Sequence, residues 1–158
     1  MNNKKPYSIL FVCTGNICRS PTAEAVFRHV IHARNLAHFF HHDSAGVDSH
    51  HIGQAPDPRS QQATLSRGVD MSDLRARNMR PEDFYDFDLI LAMDESHLAA
   101  LKRMAPADAT AEIVKYLPHC EHSEGCVPDP YYGDANDFEH VYGLIERATN
   151  RLLKKLGH

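Results

Sequence analysis

A chain of 158 residues has the length of one domain of roughly 100–200 residues, enough to bury a core without staples. Its 42% hydrophobic and 24% charged residues exclude a disordered or fibrous protein. The net charge of −4 gives nucleic-acid binding no bulk electrostatic support, and Ile9-Leu10-Phe11-Val12 is too short for a membrane span or a signal-peptide core. The expectation is a single cytoplasmic domain over 1–158, with Cys13, Cys18, Cys120 and Cys126 as thiols.

Short apolar runs alternate with helical patterns, which predicts an α/β fold built on a parallel sheet. The first strand is Tyr7 to Val12, apolar enough to be buried on both faces. The loop Cys13 to Arg19 follows, and Ser20-Pro21 reads as an N-cap and first helical residue. Ala23, Val26, Phe27, Val30 and Ile31 then keep helical spacing. A second strand is expected from Ala37 to Ser44, and a helix from Asp57-Pro58 to about Arg67 with Gly68 as its stop. Asp88 to Met93 reads as the third strand, with Asp94 at its end, and Glu95 to Met104 as helix. Ile113 to Leu117 is a weaker fourth strand, 118–133 a loop, and Ala135 to Lys155 a long helix with Phe138, Val141, Tyr142, Ile145, Leu152 and Leu156 on one face. The architecture expected is a three-layer open sheet of four parallel strands with helices on both faces. Ligands in such sheets bind beyond the carboxyl ends of the strands, where the Cys13 loop lies.

Five residues separate Cys13 from Arg19, and a helix starts immediately afterwards. A short loop before a helix can turn several backbone N–H groups into one concavity, and the helix dipole adds positive charge there. Both effects favour a phosphate dianion and the thiolate of a cysteine placed beside it. An arginine supplies a planar fork for the phosphoryl oxygens. These are the requirements of nucleophilic phosphoryl transfer. With a single glycine and no Gly-Lys-Ser/Thr ending, the loop is not a nucleotide P-loop.

The run Cys13-Thr14-Gly15-Asn16-Ile17-Cys18-Arg19-Ser20-Pro21 after a buried strand resembles the low-molecular-weight protein tyrosine phosphatases. The resemblance takes in Phe11 to Phe27, Asp43-Ser44-Ala45-Gly46, Asp86 to Ser96 and Val127-Pro128-Asp129-Pro130-Tyr131-Tyr132-Gly133, in one order along nearly the whole chain. It implies phosphotyrosine in proteins as substrate, inorganic phosphate as product, and neither metal nor cofactor. It makes Cys13 the nucleophile, Arg19 the phosphate clamp and Asp129 the acid. Phenol has a pKa near 10 and leaves badly without a proton. Thr14, Gly15, Asn16, Ile17, Cys18 and Ser20 would form the phosphate cradle, with Ser20 donating to the thiolate, and Asn16 and Ser44 holding the loop in shape. Tyr131 and Tyr132 would line the mouth and stack on an aromatic ring. Cys18 would be able to form a reversible disulfide with Cys13.

The chain departs from the family pattern at two places. His50 stands where members usually place a large aromatic wall residue, and Asp73-Leu74 lacks the histidine that braces the phosphate loop. Relatives acting on phosphoarginine carry Thr at the position of Ile17, whose branched apolar side chain suits a flat aromatic ring instead. A thioredoxin-linked arsenate reductase, a similar scaffold, needs relay cysteines in mid-chain, and none occurs between Cys18 and Cys120. His119, Cys120, His122 and Cys126 carry zinc-type ligand atoms, but their spacing matches no standard module and a solvated loop is the expectation.

Overall fold

The computed structural model describes residues 5–48, 50–121 and 125–158. In chain order the elements are β1 (Tyr7–Cys13), α1 (Arg19–Ala33), a short 3-10 turn (Ala37–Phe39), β2 (Phe40–Gly46), α2 (Pro58–Leu65), α3 (Asp83–Asp86), β3 (Leu89–Ala92), α4 (Glu95–Met104), β4 (Glu112–Lys115), α5 (Tyr116–Glu121) and α6 (Ala135–Lys155). The strands form one parallel sheet in the order β2-β1-β3-β4.

Side chains alternate across a strand, so β1 serves two cores at once. Ile9, Phe11 and Cys13 face α1, α5 and α6, whereas Leu10 and Val12 face α3 and α4. In β3, Leu89 and Leu91 join the first core, Ile90 and Ala92 the second. β3 is therefore buried throughout and β1 from Ile9 to Cys13, as their continuous apolar runs require. The expected layers are present. α1, which leads from β1 to β2, and α4, which leads from β3 to β4, lie on opposite faces. The crevice between the carboxyl ends of β1 and β3 is thereby left open. Among the described residues no helix is long and apolar enough to cross a membrane.

Several boundaries differ from expectation. α1 starts at Arg19 after Cys18, with no side-chain cap. Ser20 is thus inside the helix and buried, and its hydroxyl is engaged elsewhere instead of capping. β2 begins only at Phe40, because Ala37–Phe39 turn first. β4 ends at Lys115, and Tyr116–Glu121 form a helix where strand end and loop were expected. The burial of Tyr116, Leu117 and Cys120 in the α1–α6 core explains that helix, since the tertiary surroundings outweigh the local pattern. α6 matches its expected span; Asp134 and Asp137 close its N-terminus as a reciprocal capping box.

Candidate active site

Cys13 is the last residue of β1, and the chain turns through 14–18 into α1. Asn16 takes a left-handed backbone conformation at φ 57°, which asparagine tolerates better than most residues. Its amide organises what lies beneath the loop. Oδ1 accepts the backbone N–H of Arg77 at 3.0 Å, so Nδ2 is turned to Ser20 Oγ at 2.8 Å and Ser44 Oγ at 3.0 Å. The Ser20 hydroxyl, accepting from Asn16, lies 3.0 Å from Cys13 Sγ and 3.4 Å from the Ala45 carbonyl. Asn16, Ser20 and Ser44 are all buried and stand behind the cradle, outside the cavity wall.

This support continues outward. Ser44 donates to Glu24 Oε1 at 2.9 Å, and His42 Nδ1 meets Glu24 Oε2 at 2.7 Å. Asp73, in the place where a bracing histidine was missing, instead forks onto Arg28 with bonds of 2.9 Å. The histidine tied to the loop's support network comes from β2: His42 through Glu24 and Ser44. Removing it by His42→Ala leaves one oxygen of a buried carboxylate without its protein partner. The expected loss is about 1–3 kcal/mol of stability, read from the urea midpoint.

Arg19 is 3% exposed and is gripped from several sides. One terminal nitrogen donates to Asp94 Oδ2 at 2.7 Å and to the Val127 carbonyl at 3.1 Å. The other approaches Thr14 Oγ1 at 3.5 Å, His97 Nε2 at 3.4 Å and Asp129 Oδ2 at 3.7 Å. Asp94 caps α4 by accepting the His97 N–H. Burial alone would raise its carboxyl, but hydrogen bonds from Ser96 and Arg19 prevail and bring it down to about 2. Val127 N–H donates to Met93 O at 3.0 Å, so the segment before Asp129 is anchored to β3 and Arg19 together.

Burial, then Arg19, pushes the His97 imidazole down to about 4, against the opposing pull of Asp94 and Asp129. The unfolded chain takes up this proton near pH 6.5, whereas the folded protein refuses it until about pH 4. The unfolded state therefore binds more protons between those values, and stability falls with falling pH through that window. Acidification from pH 7 to pH 5 is expected to remove about 2 kcal/mol through this group. Urea titrations of the native protein and His97→Gln should differ by that slope.

A cavity of about 370 Å³ opens above the loop, lined by Cys13, Thr14, Gly15, Ile17, Cys18 and Arg19 on its floor. Its walls are Asp48, His50, His51, Asp129, Tyr131 and Tyr132. Ile17 also joins a small apolar cluster with Cys18, Ala63, Ala76 and Phe138. His50 lies in the wall, its side chain 80% exposed and 3.3 Å from Asp48. His51 is the ring that packs over the loop, since a Cβ on Gly15 would stand 2.7 Å from its Cδ2. Tyr131 and Tyr132 meet edge to face at 4.9 Å, and the Arg59 guanidinium lies over Tyr131 and Phe138. Burial first, and then Asp57, pushes the Cys18 thiol up to about 12, and all four cysteines are free.

Of the site residues expected from the sequence, those of the loop other than Asn16 and Ser20 line one cavity with His50, Asp129, Tyr131 and Tyr132, while Asn16, Ser20 and Ser44 lie outside its wall. Local patterning did not reveal Asp48, His51, His97 and Arg59, and only the position of Asp94 after a strand was a usable signal. Of the four potential metal ligands, His122 lies outside the described residues. His119 and Cys120 sit on α5, and Cys126 is exposed. Among the described residues no cluster suited to a metal is present.

A sulfur at a strand end, a buried guanidinium and a carboxylate share one cavity at the carboxyl edge of an open parallel sheet, the residue types that cysteine-dependent phosphoryl transfer requires. Comparison with known proteins narrows this. The family model for low molecular weight phosphotyrosine protein phosphatase matches residues 8–158. The human low molecular weight phosphotyrosine protein phosphatase is 42% identical over 94% of each chain. The solved protein tyrosine phosphatase of Entamoeba histolytica superposes with a TM-score of 0.89 at 39% identity, over 96% of this chain and 97% of that one. The Drosophila arginine phosphatase superposes at 0.88 with 34% identity, over 95% and 98%. The chain belongs to the low molecular weight phosphotyrosine protein phosphatase family.

Proposed function

We propose that the protein hydrolyses phosphotyrosine in proteins, and small aryl phosphates, through a phosphocysteine intermediate. Cys13 sulfur attacks phosphorus as the bond to the phenolic oxygen breaks. Arg19 and the 14–20 loop hold the three non-bridging oxygens. Asp129 gives its proton to the departing phenolate oxygen, then takes one from the water that attacks the phosphocysteine. Inorganic phosphate leaves and the thiolate is restored, with no metal or cofactor. Tyr131, Tyr132 and His50 flank the ring of the substrate. The enzyme acts in the cytoplasm, where its thiols stay reduced.

The observation that carries this is the convergence of Cys13, Arg19 and Asp129 on one cavity whose walls include two tyrosines. Ile17 in the floor favours a flat aromatic ester over a guanidino phosphate. The test is a rate comparison on peptides bearing phosphotyrosine, phosphoserine or phosphoarginine. The phosphotyrosine peptide is expected to lead by about a hundredfold or more in kcat/KM. A lead for phosphoarginine would move the enzyme to that substrate class.

A further inference from the structure

Resting on the phosphatase reading, we propose that His97 is a positioning residue: its Nε2 accepts hydrogen bonds that hold both the Thr14 corner of the loop and the outer arm of Arg19 where the phosphoryl oxygens arrive. Three atoms form a small triangle. Nε2 is 2.7 Å from Thr14 Oγ1 and 3.4 Å from the outer nitrogen of Arg19, and those two are 3.5 Å apart. His97 is 1% exposed, so water does not substitute for it.

The hydrogen inventory decides the roles. A guanidinium has only donors. The nitrogen that faces it must therefore present a lone pair, which puts the imidazole proton on Nδ1. Nδ1 lies 3.3 Å from Asp94 Oδ1 but is misaligned for a hydrogen bond, and among the described residues it has no hydrogen-bond partner. The Thr14 hydroxyl then donates to Nε2 and turns its own oxygen to the Arg19 N–H. Asp94 and His97, one turn of α4, thus hold the two arms of the same fork. Charge agrees with this, because an imidazolium would lose the acceptor and repel Arg19.

Three variants separate positioning from packing. Gln places an amide oxygen near the position of Nε2, Asn reaches only as far as Nδ1, and Phe keeps the ring without an acceptor. Each is assayed for inhibition by inorganic phosphate and for kcat/KM on aryl phosphates of graded leaving-group pKa, with melting temperature measured alongside. His97→Phe and His97→Asn are expected to weaken phosphate inhibition and lower kcat/KM together, about tenfold, equally for good and poor leaving groups. His97→Gln should stay within about threefold of native. Should the Phe variant fail to fold, the Gln and Asn pair alone decides. Equal behaviour of Gln and Asn, an unchanged phosphate constant in a folded Phe variant, or a loss confined to poor leaving groups would each overturn the assignment. A native protein that neither turns over nor binds phosphate would overturn the phosphatase reading first.

Discussion

Cys13→Ser is expected to abolish turnover while leaving the cavity able to bind phosphate. The substitution keeps the shape of the cradle, because Arg19, Asn16 and the loop are held by bonds that do not involve the sulfur. What it removes is the nucleophile. A serine hydroxyl must lose its proton to attack, and the group facing Sγ, the Ser20 hydroxyl, is not a base that could take it. The rate should fall by at least about four orders of magnitude. Calorimetric titration should give an affinity for inorganic phosphate within a few-fold of native. Acid-quenched native enzyme should carry phosphate on Cys13, and the variant none. Measurable turnover by the variant, at more than a hundredth of the native rate, would remove Cys13 from the mechanism.

The second large effect is expected at Asp129. Its Oδ2 stands 3.7 Å from the Arg19 fork, while Oδ1 accepts the Tyr131 N–H at 3.1 Å. One oxygen is thus held by the turn and the other is presented to the cavity, with nearly half of the side chain exposed. A proton delivered from there matters in proportion to how badly the leaving group needs it. Asp129→Ala should lower kcat on phosphotyrosine by about 10²–10³. The loss should shrink toward nothing for esters whose phenols are already acidic. Plots of log kcat against leaving-group pKa should be steep for the variant and nearly flat for native enzyme. Phosphate affinity and the melting temperature should change little, since the side chain is exposed and buries no core. A full rate on a poor leaving group would hand the acid role to another residue.

The parts of the site that could be read ahead of the fold share one property. Each is a contiguous segment whose chemistry and secondary structure are written together: a buried strand, a loop with Cys13 and Arg19, then a helix. The apolar face from Phe138 to Leu156 announced α6 in the same way. Ser20 shows where such reading fails. Serine before proline is a fair N-cap signal, yet the helix had already begun at Arg19, and the hydroxyl turns inward to the sulfur. β4 and α5 erred for a related reason, because a short apolar stretch suits strand and helix alike until a core selects one.

Periodicity and close spacing predicted the parallel sheet and an anion-binding loop at its carboxyl edge that carries Cys13 and Arg19. Asp129, far along the chain from that loop, entered as the proposed acid only through the family resemblance. Only the folded chain decided that His42 ties to the loop's support network through Glu24, that His51 covers Gly15, and that His97 shares the Arg19 fork with Asp94. The physical reason is one of range. A hydrogen bond needs its atoms within about 3.5 Å, but His97 and Thr14 are 83 residues apart in the chain. Nothing about either residue's neighbours in sequence requires the meeting; the crevice between β1 and β3 does.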